Sequence, residues 1–472
     1  MSRRRKIAVG VAVAVVGVLA LAFLVPALVD VDRYRPQVVA HLRESTGRPA
    51  QIGHLALTIF PVSIRLDDLA LGNPSGFPAG DFVRARRVYA EVDALALWDH
   101  RIVIKALDLD RPAITLLSDG RGRWNFERVS SAKRSEGWER RSSADPPPAF
   151  TLGVIGKIKL TGGQVTAATV LPSGEVGPAS FAATEISTEL EQLDLGALGT
   201  PTQSGSPESS KPAAPLSAPA RGTLRAASIS LGTIQATNVK SRLRLQARRV
   251  SFDDLSFGFY RGQGTGDLSL DFAGPAASYT ANARLRGVDL SSLLAQFPRA
   301  RGKLTGTLEG SLSLSGGLER SSQPLADQRG SGQVTIRNGR LPTLELNKNL
   351  MLLASLASLG PTAGDPSSFS SLSADLNIAR GSIRSDKIAL RGNAVDVDGS
   401  GSVTPAGAGA LGYSGVAKVR AAQNALTNIL AGVSGGTFAE GKLSFPFALE
   451  GTVEHPLFRL KSARSFGGLK LP

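Results

Sequence analysis

The sequence predicts a mainly β protein: an N-terminal transmembrane helix, then a long, curved, largely antiparallel β-sheet with a few short helices. Three observations predict it. Residues 7–29 form one unbroken apolar run. Beyond them, apolar and polar residues alternate at period two through most of the chain, as strands do when one face is wet. Glycine occurs 52 times in 472 residues, often inside those alternating stretches, where it permits bends and close backbone approach.

The apolar run comes first. About 20 apolar residues carry a helix across a hydrocarbon core of roughly 30 Å, and 7–29 is long enough. Arg3, Arg4, Arg5 and Lys6 precede it, while Asp30 and Asp32 follow. The positive-inside bias then keeps residues 1–6 in the cytoplasm and sends the rest across the membrane. Ala20-Leu21-Ala22 has the small-x-small form of a signal-peptidase site, but the apolar run continues beyond it. The expectation is an uncleaved, single-pass signal anchor.

Composition narrows the classes. There is no cysteine, so neither disulfides nor thiolate chemistry are expected. The formal charge is +15, but the basic residues are scattered, with short clusters at Arg84/Arg86/Arg87 and Arg242/Arg244/Arg248/Arg249. Export and an aromatic content of 6% argue against nucleic acid, which favours interleaved stacking platforms. An anionic membrane surface is a better partner for the basic residues, and an Arg-rich solvated surface with no partner is an equal alternative.

After the anchor, Pro36 and Gly47 bracket a short helical pattern carrying Val38, Val39 and Leu42. Residues 30–129 then read as strands: 52–60, 64–71, 88–97, 101–109, and the Ile114/Leu116 stretch. Ile102 and Ile104 face one way there, Val103 and Lys105 the other. Residues 130–149 are charged and end in Pro146-Pro147-Pro148, a loop or linker. Strands resume in 150–199, at 150–160 and 164–170. Residues 200–220 are rich in Pro, Ser and Ala and are expected to be a disordered insert. In 221–472 the alternation is cleanest, with helical patterns near 344–359 and 421–433.

That alternation defines the candidate site. Leu268, Leu270 and Phe272 oppose Asp267, Ser269 and Asp271. Leu304, Leu308, Leu312 and Leu314 oppose Lys303, Thr305, Thr307, Glu309, Ser311 and Ser313. Leu443, Phe445, Phe447 and Leu449 oppose Lys442, Ser444 and Glu450. A sheet with one apolar face must bury it, in a barrel, a sandwich or a sheet folded along its length into a trough. Open sheets rarely stay flat past about ten strands, so curling is expected. Pattern alone does not separate a packed core from an open trough.

No residues arranged for catalysis or metal binding emerge. His41, His54, His100 and His455 lack ligand spacing, and there is no G-x-S-x-G elbow or P-loop. Gly262-x-Gly264-x-Gly266 leads into the strand-like Asp267-Leu268-Ser269-Leu270, whereas phosphate binding needs a helix N-terminus there. Asp267, Asp271, Asp396 and Asp398 read as solvated strand faces. No cofactor is expected.

Motif order adds a resemblance. Asp32-x-Tyr34-x-Pro36, Thr46-Gly47-Arg48, Phe60-Pro61 and Leu71-Gly72-Asn73-Pro74-x-Gly76-Phe77 follow the anchor in turn. Pro112 and Asp119-Gly120-x-Gly122-x-Trp124-Asn125-Phe126 complete the N-terminal set. Towards the end come Gly330-Ser331-Gly332 with Val334, Ile336, Asn338 and Gly339, then Val397-Asp398-Gly399-Ser400-Gly401, Phe445-Pro446, Gly451 and His455-Pro456. In this order the motifs resemble the AsmA family of inner-membrane-anchored envelope proteins, over 30–129 and 221–472 in particular. The resemblance implies a periplasmic β-sheet folded into a hydrophobic groove, similar to bridge-like chorein-type lipid transfer proteins. It also implies a non-enzymatic role in outer-membrane biogenesis, by phospholipid transport between envelope membranes. Ile102, Ile104, Leu268, Leu270, Phe272, Leu304, Leu308, Leu312, Leu314, Leu443, Phe445, Phe447 and Leu449 would then face phospholipid acyl chains. The alternative is an assembly scaffold that influences outer-membrane proteins without carrying lipid.

Overall fold

In the computed structural model, residues 31–59, 61–93, 96, 103–126, 154–194, 219–246, 248–274, 276–298, 300–318, 325–341, 367–392, 395–405, 409–420, 435–452 and 455–460 are described. The expected anchor, Ile102, the loop 130–149, nearly all of 200–220 and the helices near 344–359 and 421–433 lie outside them. Among the described residues no helix is long and apolar enough to cross a membrane. The chain divides into two compact units, Met1–Arg248 and Arg249–Pro472. Both are built on β-sheet.

The first unit opens with a short 3-10 helix, Val31–Tyr34, and α1, Arg35–Thr46. Pro36 sits in the first turn, and Gly47 ends α1 at φ 65, its N–H bonding the Arg43 carbonyl at 2.8 Å. A left-handed φ of that kind suits glycine. Asp32 accepts a hydrogen bond from the Leu55 N–H at 2.9 Å, which fastens this helical entry to the sheet.

The strands of this unit are β1 (Ala50–Gln51), β2 (His54–Ile59), β3 (Val62–Gly72), β4 (Asp81–Val92), β5 (Ile104–Asp110) and β6 (Ala113–Ser118). They continue with β7 (Val154–Val170), β8 (Val176–Asp194), β9 (Ala220–Leu231) and β10 (Ile234–Gln246). Two expectations are corrected here. The stretch read as a strand over 88–97 begins at Asp81 and ends at Val92. The two strands read at 150–160 and 164–170 are one, β7, because Gly162 takes a positive φ of 65 and the pairing with β8 shifts register at Gly163 instead of turning. A bulge absorbs the extra residues without ending the strand.

The sheet is also not antiparallel throughout. β5 and β6 both pair with β7 in parallel, Leu107 opposite Ile158 and Ile114 opposite Val165, and both pair antiparallel with β4. They are one broken strand, interrupted where Arg111 adopts φ 46 before Pro112.

The N-terminal motif residues, far apart in sequence, meet in a buried polar node. Asn125 is fully buried, and its side chain accepts from the Leu117 N–H at 3.0 Å. It donates to the Thr115 carbonyl and to Asn73 Oδ1, both at 2.8 Å. Asn73 in turn donates to the Pro78 carbonyl at 3.0 Å. Arg48 donates to the Asn125 carbonyl and lies 4.5 Å above the centre of the Phe82 ring. Its Nε and Nη1 find no hydrogen-bond acceptor among the described residues, and burial pulls the guanidinium pKa below its ordinary value.

The second unit is a meander. Its strands are β11 (Arg249–Phe259), β12 (Gly262–Asp271), β13 (Ser278–Asp289), β14 (Thr305–Gly317), β15 (Arg329–Arg340) and β16 (Ser368–Ala379). Then come β17 (Ser382–Gly392), β18 (Val395–Thr404), β19 (Ala410–Arg420), β20 (Thr437–Ala439), β21 (Lys442–Thr452) and β22 (Pro456–Leu460). Each strand from β11 to β19 pairs antiparallel with the next. β19 pairs with β21, whose far edge is shared by β20 and β22. A helix not expected from sequence, α2 (Leu290–Leu294), follows β13. Asp289 caps it by accepting from the Ser292 N–H at 2.6 Å, and hydrogen bonds from the Ser292 side chain and then its N–H hold the Asp289 carboxyl below its usual pKa.

The polar node generates a stability expectation. Asn125→Ala leaves the Leu117 N–H, the Thr115 carbonyl and Asn73 without partners in a buried site, so unfolding free energy should fall by about 2–4 kcal/mol. Denaturant midpoints measure this; a loss within about 0.5 kcal/mol would contradict the node's structural role.

Candidate functional site

Directly opposed residues on paired strands share a sheet face, so the register of β11–β21 can be read as rows crossing the sheet. One row runs Phe252, Leu268, Ala281, Leu314, Gly330, Ile378, Ile383, Val403, Leu411, Gly451. It crosses from β11 to β21 without a polar side chain. A second runs Val288, Leu308, Ile336, Leu372, Leu390, Val397, Ala417, Phe445. At about 4.8 Å per strand the first row is roughly 43 Å long.

The rows differ in exposure. In the first, all residues but Ile378 are half-buried. In the second, Val288, Ala417 and Phe445 are fully buried, and Ile336 packs with Leu290 and Phe369, joined by Leu304, Leu308, Leu372 and Leu390. One row is thus an accessible apolar strip, the other largely a packed core.

Several rows also oppose a large side chain to a glycine. Leu314 faces Gly330, Leu312 faces Gly332, Phe257 faces Gly264 and Tyr413 faces Gly401. A Cβ added at Gly264 or Gly401 would overlap the facing ring, and one at Gly332 would sit 3.3 Å from Leu312 Cδ1. Sequence reading assigned Gly264 and Gly401 to bending and took Gly330 and Gly332 only as part of a motif. In the structure they also make room for the side chain across from them, so the apolar face keeps little relief.

The sequence-derived site residues fall into three groups. Leu268, Leu270, Leu308, Leu312, Leu314 and Leu449 are half-buried, with Leu268 and Leu314 in the first row and Leu308 in the second. Ile104 is half-buried in the first unit, opposite Val92. Leu443, Phe445 and Phe447 are at most 5% exposed, beside the buried Val419 and Ala417. Two more lie off the strands: Phe272 follows the end of β12 and is 38% exposed, and Leu304 precedes β14. Leu443, Phe445 and Phe447 are buried, so at these three positions the packed-core alternative describes the face and the open trough does not. Sequence reading missed Val288, Leu372, Leu390 and Ala417, whose place depends on pairing register rather than on local pattern.

The opposite face is polar. Arg249 bonds Asp271 at 2.5 Å, Arg391 bonds Asp398 at 2.5 Å, and Lys442 bonds Asp396 at 3.0 Å. These carboxylates are therefore engaged in ion pairs. A concavity of about 860 Å³ on this side is lined by Ser256, Thr265, Asn282, Ser311, Ser313 and Gln333 among others. Leu255, Ala283 and Leu312 also line it, so the concavity is mixed in character.

The exposure difference between rows can be measured. Phe445→Asp buries an unpaired carboxylate and should cost about 3–5 kcal/mol with loss of folded protein. Leu314→Asp, where water reaches the side chain, should cost clearly less and leave the protein abundant. Equal losses in thermal unfolding and yield would contradict the assignment.

A search of curated proteins finds no match. A family model described as the AsmA family matches residues 1–169 and 220–388. Those spans contain the Arg48–Asn73–Asn125 node, the first apolar row from Phe252 to Ile383 and the second from Val288 to Leu372, and 389–472 lies outside them. Because the match covers most of the sequence, the chain belongs to the AsmA family.

Proposed function

We propose that this chain is a non-enzymatic, cell-envelope lipid-binding and transfer protein. It is tethered to the inner membrane through 7–29, with its bulk in the periplasm, and contributes to outer-membrane biogenesis by phospholipid transport. The observation that carries this reading is the half-buried row from Phe252 to Gly451, apolar across ten paired strands. An acyl chain laid on such a strip leaves water at about 0.8 kcal/mol per buried CH₂, while its headgroup stays in solvent. The mechanism is partition, so no reacting group is required. Low relief at the leucine–glycine pairs offers no fixed side-chain pocket, which favours chains of varied length over one shaped ligand.

Membership of the AsmA family is consistent with an envelope location. Native mass spectrometry of the full chain, extracted in mild detergent, tests the proposal. Phospholipid should accompany the protein in more than trace amounts, and Leu268→Gln/Leu314→Gln should lower that load while the protein remains folded. A clean lipid-free mass for the parent protein would favour an assembly scaffold that acts without carrying lipid.

A further inference from the structure

On the polar face of the first unit, charges alternate in sign from strand to strand. Asp108 of β5 lies opposite Lys159 of β7, which lies opposite Glu189 of β8. Two residues along, Lys157 lies opposite Glu191, and its ammonium also pairs with Glu189. Opposite charges across paired strands stabilise a sheet, and like charges directly opposed destabilise it.

The alternation stops at β9. Arg221 lies opposite Arg244 and Arg225 opposite Lys240, with Arg242 between them opposite Thr223. All five basic side chains are exposed. On the β8 side only Arg221 has a carboxylate directly across from it, Glu191; Arg225 faces Ser187. Arg221, Arg225 and Lys240 make no hydrogen bond or ion pair among the described residues. Ladder hydrogen bonds come from the backbone and would hold equally with Ser, Thr or Gln at these positions. Arg225 and Lys240 thus form a like-charge cross-strand pair whose side chains add no hydrogen bond or ion pair to the sheet among the described residues.

We propose that this face of β9 and β10 is a docking surface for the anionic headgroups of phospholipids at a membrane surface. Alternate residues along a strand are about 6.8 Å apart, so the cations form a patch some 14 Å long on two adjacent strands. Arginine pairs with phosphate in bidentate geometry. Neither strand contains an aromatic residue, so the surface lacks the base-stacking platforms of single-stranded nucleic-acid sites. Docking here does not depend on lipid occupying the apolar face of β11–β22.

The test uses the full chain reconstituted in nanodiscs of phosphatidylcholine and fixed to a sensor surface. Vesicles of phosphatidylcholine, with or without phosphatidylglycerol, are passed over it at low and at physiological salt. Vesicles containing phosphatidylglycerol should be captured, less so at the higher salt, and vesicles without it should not. Arg221→Gln/Arg225→Gln/Lys240→Gln should weaken capture about a hundredfold, since each cation near an anionic surface contributes roughly fivefold. Arg221→Lys/Arg225→Lys should retain capture. The Gln variant should melt close to the parent, because it removes both the Arg225–Lys240 like-charge opposition and the exposed Arg221–Glu191 opposition, each worth little at a surface, which separates lost docking from lost folding. The proposal is overturned by capture that ignores phosphatidylglycerol or the Gln substitutions, or by a Gln variant that melts well below the parent. It is also overturned if a short RNA or polyglutamate binds through these residues while vesicles are never captured.

Discussion

Cross-strand register is the constraint on which the rest of the second unit depends. Side chains alternate faces at period two, so a slip of one residue in any strand would move its apolar set to the wet face. From β11 to β21 no strand slips: where pairing shifts, as between Phe252 and Leu255 or between Leu285 and Val288, apolar residues still oppose apolar residues. Opposing a large side chain to a glycine helps to hold register, because a shift would set Leu312 or Leu314 against Ser331 or another occupied position. The same constraint sorts function from support: one row is left accessible, and the neighbouring row around Leu290, Ile336 and Phe369 is packed.

The first unit obeys the same rule with different chemistry at its entry. Arg48, Asn73 and Asn125 belong to three separated segments, and their hydrogen bonds tie β5–β6 and the turns after β3 and β6 to the chain leaving α1. Removing one partner from such a buried network exposes the desolvation cost of the others. The family motifs of this region are thus explained by a structural node. Ligand contact, in the proposed reading, falls to the apolar alternation of the second unit.

Much of this was legible in the sequence where alternation is local. Leu268/Leu270, Leu312/Leu314 and Leu443/Phe445/Phe447 share a face because neighbouring residues in one strand must. What escaped depends on partners distant in the chain. The parallel pairing of β5 and β6 with β7 carries no local signal, because its register is set across a long connection. Gly162-Gly163 reads as a turn but is accommodated within β7. The cap Asp289 before Leu290 was a helix signal hidden in an otherwise β pattern. Exposure was the least legible property: parity places Phe445 and Leu449 on the same apolar face, but it does not tell the buried Phe445 from the half-buried Leu449.

The central claim is that the half-buried row of the second unit touches acyl chains in the working protein. Site-specific photo-crosslinking in intact cells tests it most directly, with a benzophenone amino acid placed at Leu268 or Leu314 and, as wet-face controls, at Ser269 or Ser313. The account expects phospholipid adducts, read by mass spectrometry, from the first pair and not from the second. Adducts from neither pair in folded protein, or equal adducts from both, would contradict it.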